Sequence, residues 1–252
     1  MKVVKCFPSF FSAVPLFVPR DRMKPERYSW LGMIPVVATG IYYSLPDSEQ
    51  THLFVQFLPQ ILAYVVLGIW IYHNDHILQR LGLSGHLLNQ GLTIGGVTGI
   101  VLGVVNSAVI LWIVPALGFS ISFLTETPHA QVPTWIMVPW GIVGIACAVE
   151  LNFRGFLLGR LLCLGENAWV PKSDIEGGGS GVGGFLAVVG SALVFAFDPF
   201  MVSTFQHLHW IAVWDGIIWG WLWVRTKNLY VTCMAHAVEV VIVYLTMKFT
   251  LM

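Results

Sequence analysis

The chain has 252 residues, of which 56% are hydrophobic and 10% charged, against about 25% charged in an ordinary soluble domain. Lys+Arg and Asp+Glu each number 13, which excludes the basic face of a nucleic-acid binder and the acidic tail of a solvating segment. A water-soluble fold cannot hide this much apolar surface, so the partner implied by composition is the lipid bilayer.

The first apolar stretch, Cys6 to Val18, is interrupted by Pro8 and Pro15 and followed by Arg20, Arg22, Lys24 and Arg27. Residues 1–28 read as a basic, cytoplasmic N-terminal segment. Apolar runs near the ~20 residues that cross a bilayer follow at 29–45, 53–72, 94–118, 135–162, 182–197, 210–224 and 230–251. The expected fold is all-α, a polytopic membrane helical bundle of seven to eight transmembrane helices, forming a single domain over residues 29–252. The amphipathic stretch 73–93 is expected on the membrane surface, the eighth helix arising only if it spans. Gly177–Gly184 reads as a flexible hinge.

Cytoplasmic connections collect Lys and Arg. Six of the thirteen basic residues lie in the N-terminal segment, and Arg80, then Arg160 and Lys172, then Arg225 and Lys227 follow in alternate connections. The intervening connections 46–52, 119–134 and 198–209 hold none. The N-terminus is therefore expected in the cytoplasm. The four cysteines, Cys6, Cys147, Cys163 and Cys233, show neither a disulfide framework nor a zinc spacing.

An ionisable side chain at the centre of a span costs about 2.5–3.5 kcal/mol on insertion scales, so each one needs a reason. Glu150, Arg154, Asp198, Asp215 and His236 stand out, with Glu239 beside the last. Glu150 and Arg154 are four apart in VELNFRGF, which puts them on one helical face in the order that favours an ion pair. Such a pair either pins two helices together or belongs to a site. His236 and Glu239 are three apart on one face, an arrangement that suits a general base, a ligand-orienting pair, or a histidine satisfied in the core. Asp198, followed by Pro199, ends an apolar run and reads as a helix terminus or a catalytic carboxylate. His207 and His209 form a weak candidate metal pair without an evident third ligand. No cofactor is expected.

These residues resemble a known family. VELNFRGFLLGRLL is similar to an EExxxR motif, SALVFAF to the start of an FxxxH motif, and RTKNL followed by AHAVEV to the hinge and closing HxxxN motif. The order and spacing, over about 135–245, are those of the CAAX-protease and bacteriocin-processing family of intramembrane glutamic endopeptidases. The resemblance implies a helical bundle with a cytoplasm-facing polar cavity, in which glutamate and histidine activate a water to cut membrane-associated peptides or proteins. It also implies the plasma membrane of a prokaryote as location. Catalytic candidates carried over are Glu150, Arg154 and His236, with Glu239 and Asp198 as weaker ones.

The departures fall at the chemistry. Val149 stands where the family has its water-activating glutamate, Pro199 where it has the second histidine, and Val240 where it has asparagine. A working CAAX-type endopeptidase would need Glu150 or Glu239 as general base, His236 as electrostatic partner and Asp198 in place of the lost histidine. The favoured alternative is a pseudoprotease, a membrane binding or regulatory protein that grips a peptide without cutting it. A small-solute transporter is the third reading, weakened by the lack of an inverted repeat.

Overall fold

The computed structural model describes residues 25–169 and 182–251, and every regular element among them is helical. The basic lead-in up to residue 24, Lys172 and the glycines at 177–181 lie outside the described residues. Gly183 and Gly184, expected in a hinge, already belong to a helix.

After a 3₁₀ turn at Ser29–Gly32, helix α1 runs over Met33–Ser44. It stops before Leu45-Pro46, because a residue preceding proline is pushed out of the α region. Helix α2 spans Leu53–His73. Asn74 closes it, its side-chain amide donating to Trp70 O at 2.9 Å and to Arg27 O at 3.0 Å. The next run, Ile77–Ala116, turns at Gly82, whose φ of +77° suits glycine, and continues through a π-helical turn at Gly91–Gly95 into α3, Gly96–Ala108. Helix α4, Thr134–Gly165, carries two wide π-helical stretches, Met137–Gly144 and Leu151–Leu158. Then come α5 (Val182–Ala196), the short α6 (Pro199–Phe205), α7 (Ile211–Thr226) and α8 (Leu229–Leu251). Asn228 ties α7 to α8. Its carbonyl oxygen accepts from Tyr230 N at 3.0 Å, while its amide nitrogen donates to Leu87 O at 2.8 Å.

Among the described residues, four helical runs are long and apolar enough to cross a membrane: Leu53–His73, Ile77–Ala116, Thr134–Gly165 and Leu229–Leu251. A fifth arises if Val182–Ala196 and Pro199–Thr226, bent by 55°, act as one span. The expected seven to eight are therefore not reached by length. Helices α1, α5 and α7 have only 12, 15 and 16 residues, and at 1.5 Å per residue 12 residues cover about 18 Å of a ~30 Å hydrocarbon core. Nor is 73–93 a single surface helix. It splits into Ile77–Leu81 and a 3₁₀ turn at Gly85–Leu87 before joining the long run, so it adds no span of its own. Leu81 is buried with Trp70 and Phe156.

The connections sort by charge in space as well as in sequence. Glu26 is ion-paired to both Arg80 and Arg160, Arg160 also lies 4.0 Å over the Trp70 ring, and Leu229 N donates to Gly82 O at 2.9 Å. Arg80, Arg160 and the Arg225–Lys227 turn thus share one end of the bundle. The connections without Lys or Arg meet at the other end, where Tyr43 Oη donates to Phe197 O at 2.9 Å, Phe57 packs on Phe200, and His207 stacks on Phe119.

Two helix pairs hold the centre. Helices α5 and α7 run antiparallel, Gly216 lying against Ala192 and Gly220 against Val188. Helix α3 with its preceding π turn runs parallel to α8 through a stripe of small residues, Gly91, Gly95, Gly99 and Gly103, which lie against Tyr230, Met234, Val238 and Ile242. Small residues every fourth position let two backbones approach closely, and the resulting packing drives association in lipid. A Cβ on Gly99 would sit 2.5 Å from Ala235 O, whereas one on neighbouring Gly96 would meet nothing within 4 Å. Gly99→Ala is expected to destabilise the protein by about 1–3 kcal/mol through overpacking, and Gly96→Ala to stabilise it by up to ~1 kcal/mol through helix propensity. Unfolding titrations of both variants in mixed micelles check the contrast; equal effects would mean that α3 does not pack on α8 through this face.

Candidate functional site

Glu150 ends the α-helical turn Ile145–Glu150 of α4, and the π stretch that follows brings Arg154 back beneath it. Arg154 Nη1 donates to Glu150 Oε1 at 2.9 Å, and both side chains are 0% exposed. From α8, His236 Nδ1 lies 3.0 Å from the same oxygen. A carboxylate only accepts, so the ring proton facing it sits on Nδ1. Of the three, only His236 keeps accessible surface, at 12%. The structure therefore joins α4 to α8 through Glu150, Arg154 and His236.

Aromatic rings complete the surroundings. The Arg154 guanidinium lies 4.6 Å from the Phe195 ring centroid and 5.1 Å from that of Trp219. Its Nε and Nη2 find no acceptor among the described residues. Desolvated π faces take part of that role, a contact worth about 2 kcal/mol when water is excluded. Trp219 also stacks on His236, with centroids 4.2 Å apart and planes at 22°. Gly216 makes room for the arrangement, since a Cβ there would lie 3.3 Å from Arg154 Nη2 and 2.9 Å from Ala192 Cβ.

Beside this network lies a cavity of about 450 Å³. His236 lines it, together with Val149, Phe195, Asp198 and Val240, while Glu150 does not. One residue along a helix is a rotation of about 100°, and it separates Val149 in the cavity wall from Glu150 in the packed seam. The walls are largely aliphatic and aromatic, with polar groups from Gln60, Thr127, His129, Asp198 and His236 and the hydroxyls of Tyr64 and Tyr244 among them. The expected polar cavity is thus an apolar one, because the positions that would carry its acid and amide are valines. Leu124, Thr127, His129, Phe200 and Phe205 in its wall belong to the connections without Lys or Arg.

Asp198 serves as the helix cap that its place before proline suggests. It is 2% exposed, accepts from Phe200 N at 3.1 Å at the start of α6, and accepts from Gln60 Nε2 of α2 at 2.8 Å. Those bonds tie α2 to α6 across the cavity. His207 stacks on Phe119, and His209 meets Gln206 O and the Phe197 ring. No group of three His, Cys, Asp or Glu able to hold a metal occurs among the described residues.

Glu239 is drawn into a second polar cluster. Asn106 of α3 donates through Nδ2 to Glu239 Oε1 at 2.6 Å and to both carboxylate oxygens of Asp215, from α7, at 3.2 and 3.1 Å. Trp214 Nε1 fixes the amide by donating to Asn106 Oδ1 at 3.1 Å. Asn106 is absent from the sequence-based candidates, although an amide inside the run GIVLGVVNSAVILW is the signal that marks it. Asp215 was conspicuous as an ionisable residue, but its partners lie 109 and 24 positions away along the chain.

Comparison with known proteins adds one match. Residues 131–242 match the model of the type II CAAX prenyl endopeptidase Rce1-like family, whereas no curated protein and no solved structure matches the chain. The matched segment contains Glu150, Arg154, Asp198, Asp215, His236 and Glu239, and hence all of the buried network except Asn106. The match spans 112 of the 252 residues, and over that segment the chain is similar to the Rce1-like type II CAAX prenyl endopeptidases.

Proposed function

We propose that this protein grips a membrane-associated peptide or protein segment in its cavity and does not hydrolyse it by the family's route. The observation that carries this reading is the cavity wall itself. Val149 and Val240 present aliphatic side chains there, and Glu150 is 0% exposed and spent on Arg154 and His236. A hydrolytic water needs a carboxylate and an imidazole aimed at one spot, and here His236 lines the cavity while Glu150 does not, and the carboxylate that does line it, Asp198, is held by Phe200 N and Gln60. A volume of about 450 Å³ falls within the ~300–1,000 Å³ of ligand sites, which combine apolar walls with few polar points. Glu150 and Arg154 then act as positioning residues that hold His236 and the Phe195–Trp219 wall.

The positive-inside rule puts the end bearing Arg80, Arg160 and Arg225 in the cytoplasm. The cavity, walled by the connections without Lys or Arg, then lies toward the opposite face, against the cytoplasm-facing cavity implied by the family. Helices α1, α5 and α7 run between the same two ends, so we count them as short passes through the bilayer. Single cysteines replacing Lys227 and Glu49, probed with a membrane-impermeant thiol reagent in a background lacking other cysteines, should label from opposite sides. Labelling of both from one side would refute the topology.

Binding and cleavage are read separately. A photo-crosslinking amino acid in place of Val149 is expected to capture an apolar transmembrane peptide, and wild-type protein is expected to leave that peptide uncut. Installing the missing chemistry through Val149→Glu, Pro199→His and Val240→Asn together is the change expected to bring cleavage above background, since general-base catalysis typically contributes about 10²–10⁴-fold. Cleavage by wild type that disappears in Glu150→Gln would overturn the proposal and make Glu150 the general base.

A further inference from the structure

A pocket of about 150 Å³ adjoins the main cavity and shares wall residues with it, among them Phe195, His236 and Val240. Its polar floor is Asp215, Glu239 and Asn106, which are 3%, 3% and 1% exposed. The charge count there does not close. Three carboxylates, Glu150, Asp215 and Glu239, face one guanidinium, Arg154, which is already paired with Glu150. From the packed helices the dyad is faced by Arg154 and Glu150 of α4, with His236 of α8 in the same pocket wall. Glu239 Oε2 is buried and has no hydrogen-bond partner among the described residues, and the Asp215 carboxyl lies against Glu239. Two carboxylates in contact inside an apolar wall cannot both stay ionised unless a cation joins them; otherwise they share one proton.

We infer that Asp215, Glu239 and Asn106 form a subsite for a primary ammonium on an unbranched apolar stem, the form a lysine side chain of the docked peptide would present. This assignment of ligand class rests on the reading that the cavity holds a peptide. The donor pattern selects the ligand. Asn106 turns its NH₂ toward both carboxylates and is held that way by Trp214, so a bare metal ion would meet an N–H group where it needs an oxygen. An ammonium brings its own donors and supplies Glu239 Oε2 with the one it lacks. Ile110, Leu208, Ile211 and Met247 offer the stem an apolar channel, and a lysine buries its methylenes along such surface. Because the ammonium replaces the shared proton, binding releases a proton.

The test uses the full chain in detergent micelles, with n-butylammonium chloride and butan-1-ol as probes of equal stem length. Calorimetric titration at neutral pH in two buffers of different ionisation enthalpy counts the protons. The expected result is butylammonium binding at least about tenfold tighter than butanol, a gap of ~1.4 kcal/mol, with about one proton released per amine bound. Asp215→Asn and Glu239→Gln should each abolish that preference. Equal binding of the two probes to wild type, or butylammonium binding without proton release, would overturn the subsite even if a variant fails to fold. The crosslink at position 149 with a lysine-free peptide keeps the two readings apart. A crosslink without butylammonium preference refutes the subsite alone, and butylammonium binding without a crosslink refutes the peptide reading alone.

Discussion

The Glu150–Arg154 pair sits at 0% exposure where α4, α7, α5 and α8 meet, and much of the interior is arranged to tolerate it. Burying two charges costs several kcal/mol per ion before their attraction returns anything. The surroundings reduce that cost in three ways. His236 adds a hydrogen bond to Glu150, the rings of Phe195 and Trp219 cover the guanidinium, and Gly216 gives the guanidinium space beside α7. These contributions come from α5, α7 and α8. The pair therefore fixes how α5, α7 and α8 stand around α4, and it fixes the orientation of the His236 imidazole in the cavity wall.

That constraint bears on function. With its carboxylate committed to Arg154 and His236, α4 offers the cavity only Val149 at the level of the histidine, and α8 offers Val240. On the proposed reading, the fold keeps the positioning half of a hydrolytic site and lacks the reacting half. The remaining ionisable residues do not rebuild it. Asp198 is held as a cap by Phe200 N and Gln60, and Glu239 is turned to Asn106 and Asp215. What the second cluster retains is an excess of buried negative charge next to an apolar pocket, which is a property of recognition.

Part of this was legible in the sequence. Ionisable residues inside apolar runs are so costly that Glu150, Arg154 and His236 had to find partners, and their spacing put the first two on one face. Asp198 before proline already read as a helix terminus. The glycine stripe was legible in principle, four glycines at a four-residue period beginning at Gly91, but hydropathy alone does not separate it from the apolar run that contains it. The span count was not legible, because hydropathy measures the length of an apolar run and not the length of helix it forms. Thus 29–45 yields a 12-residue α1 after a 3₁₀ turn. Nor could residue spacing reveal that Glu239 turns to Asn106. That contact depends on α3 running parallel to α8, a pairing set by the glycines and not by any charge.

The most direct measurement is a double-mutant cycle on the central pair, with Glu150→Gln, Arg154→Met and the double variant unfolded in mixed micelles. Each single change leaves a buried charge or its partner uncompensated and should destabilise by about 3–5 kcal/mol, while the double variant removes both charges and should lie within about 1–2 kcal/mol of wild type. Single effects that add to within ~0.5 kcal/mol in the double variant would show that the two charges are not coupled and would contradict the central role given to the pair.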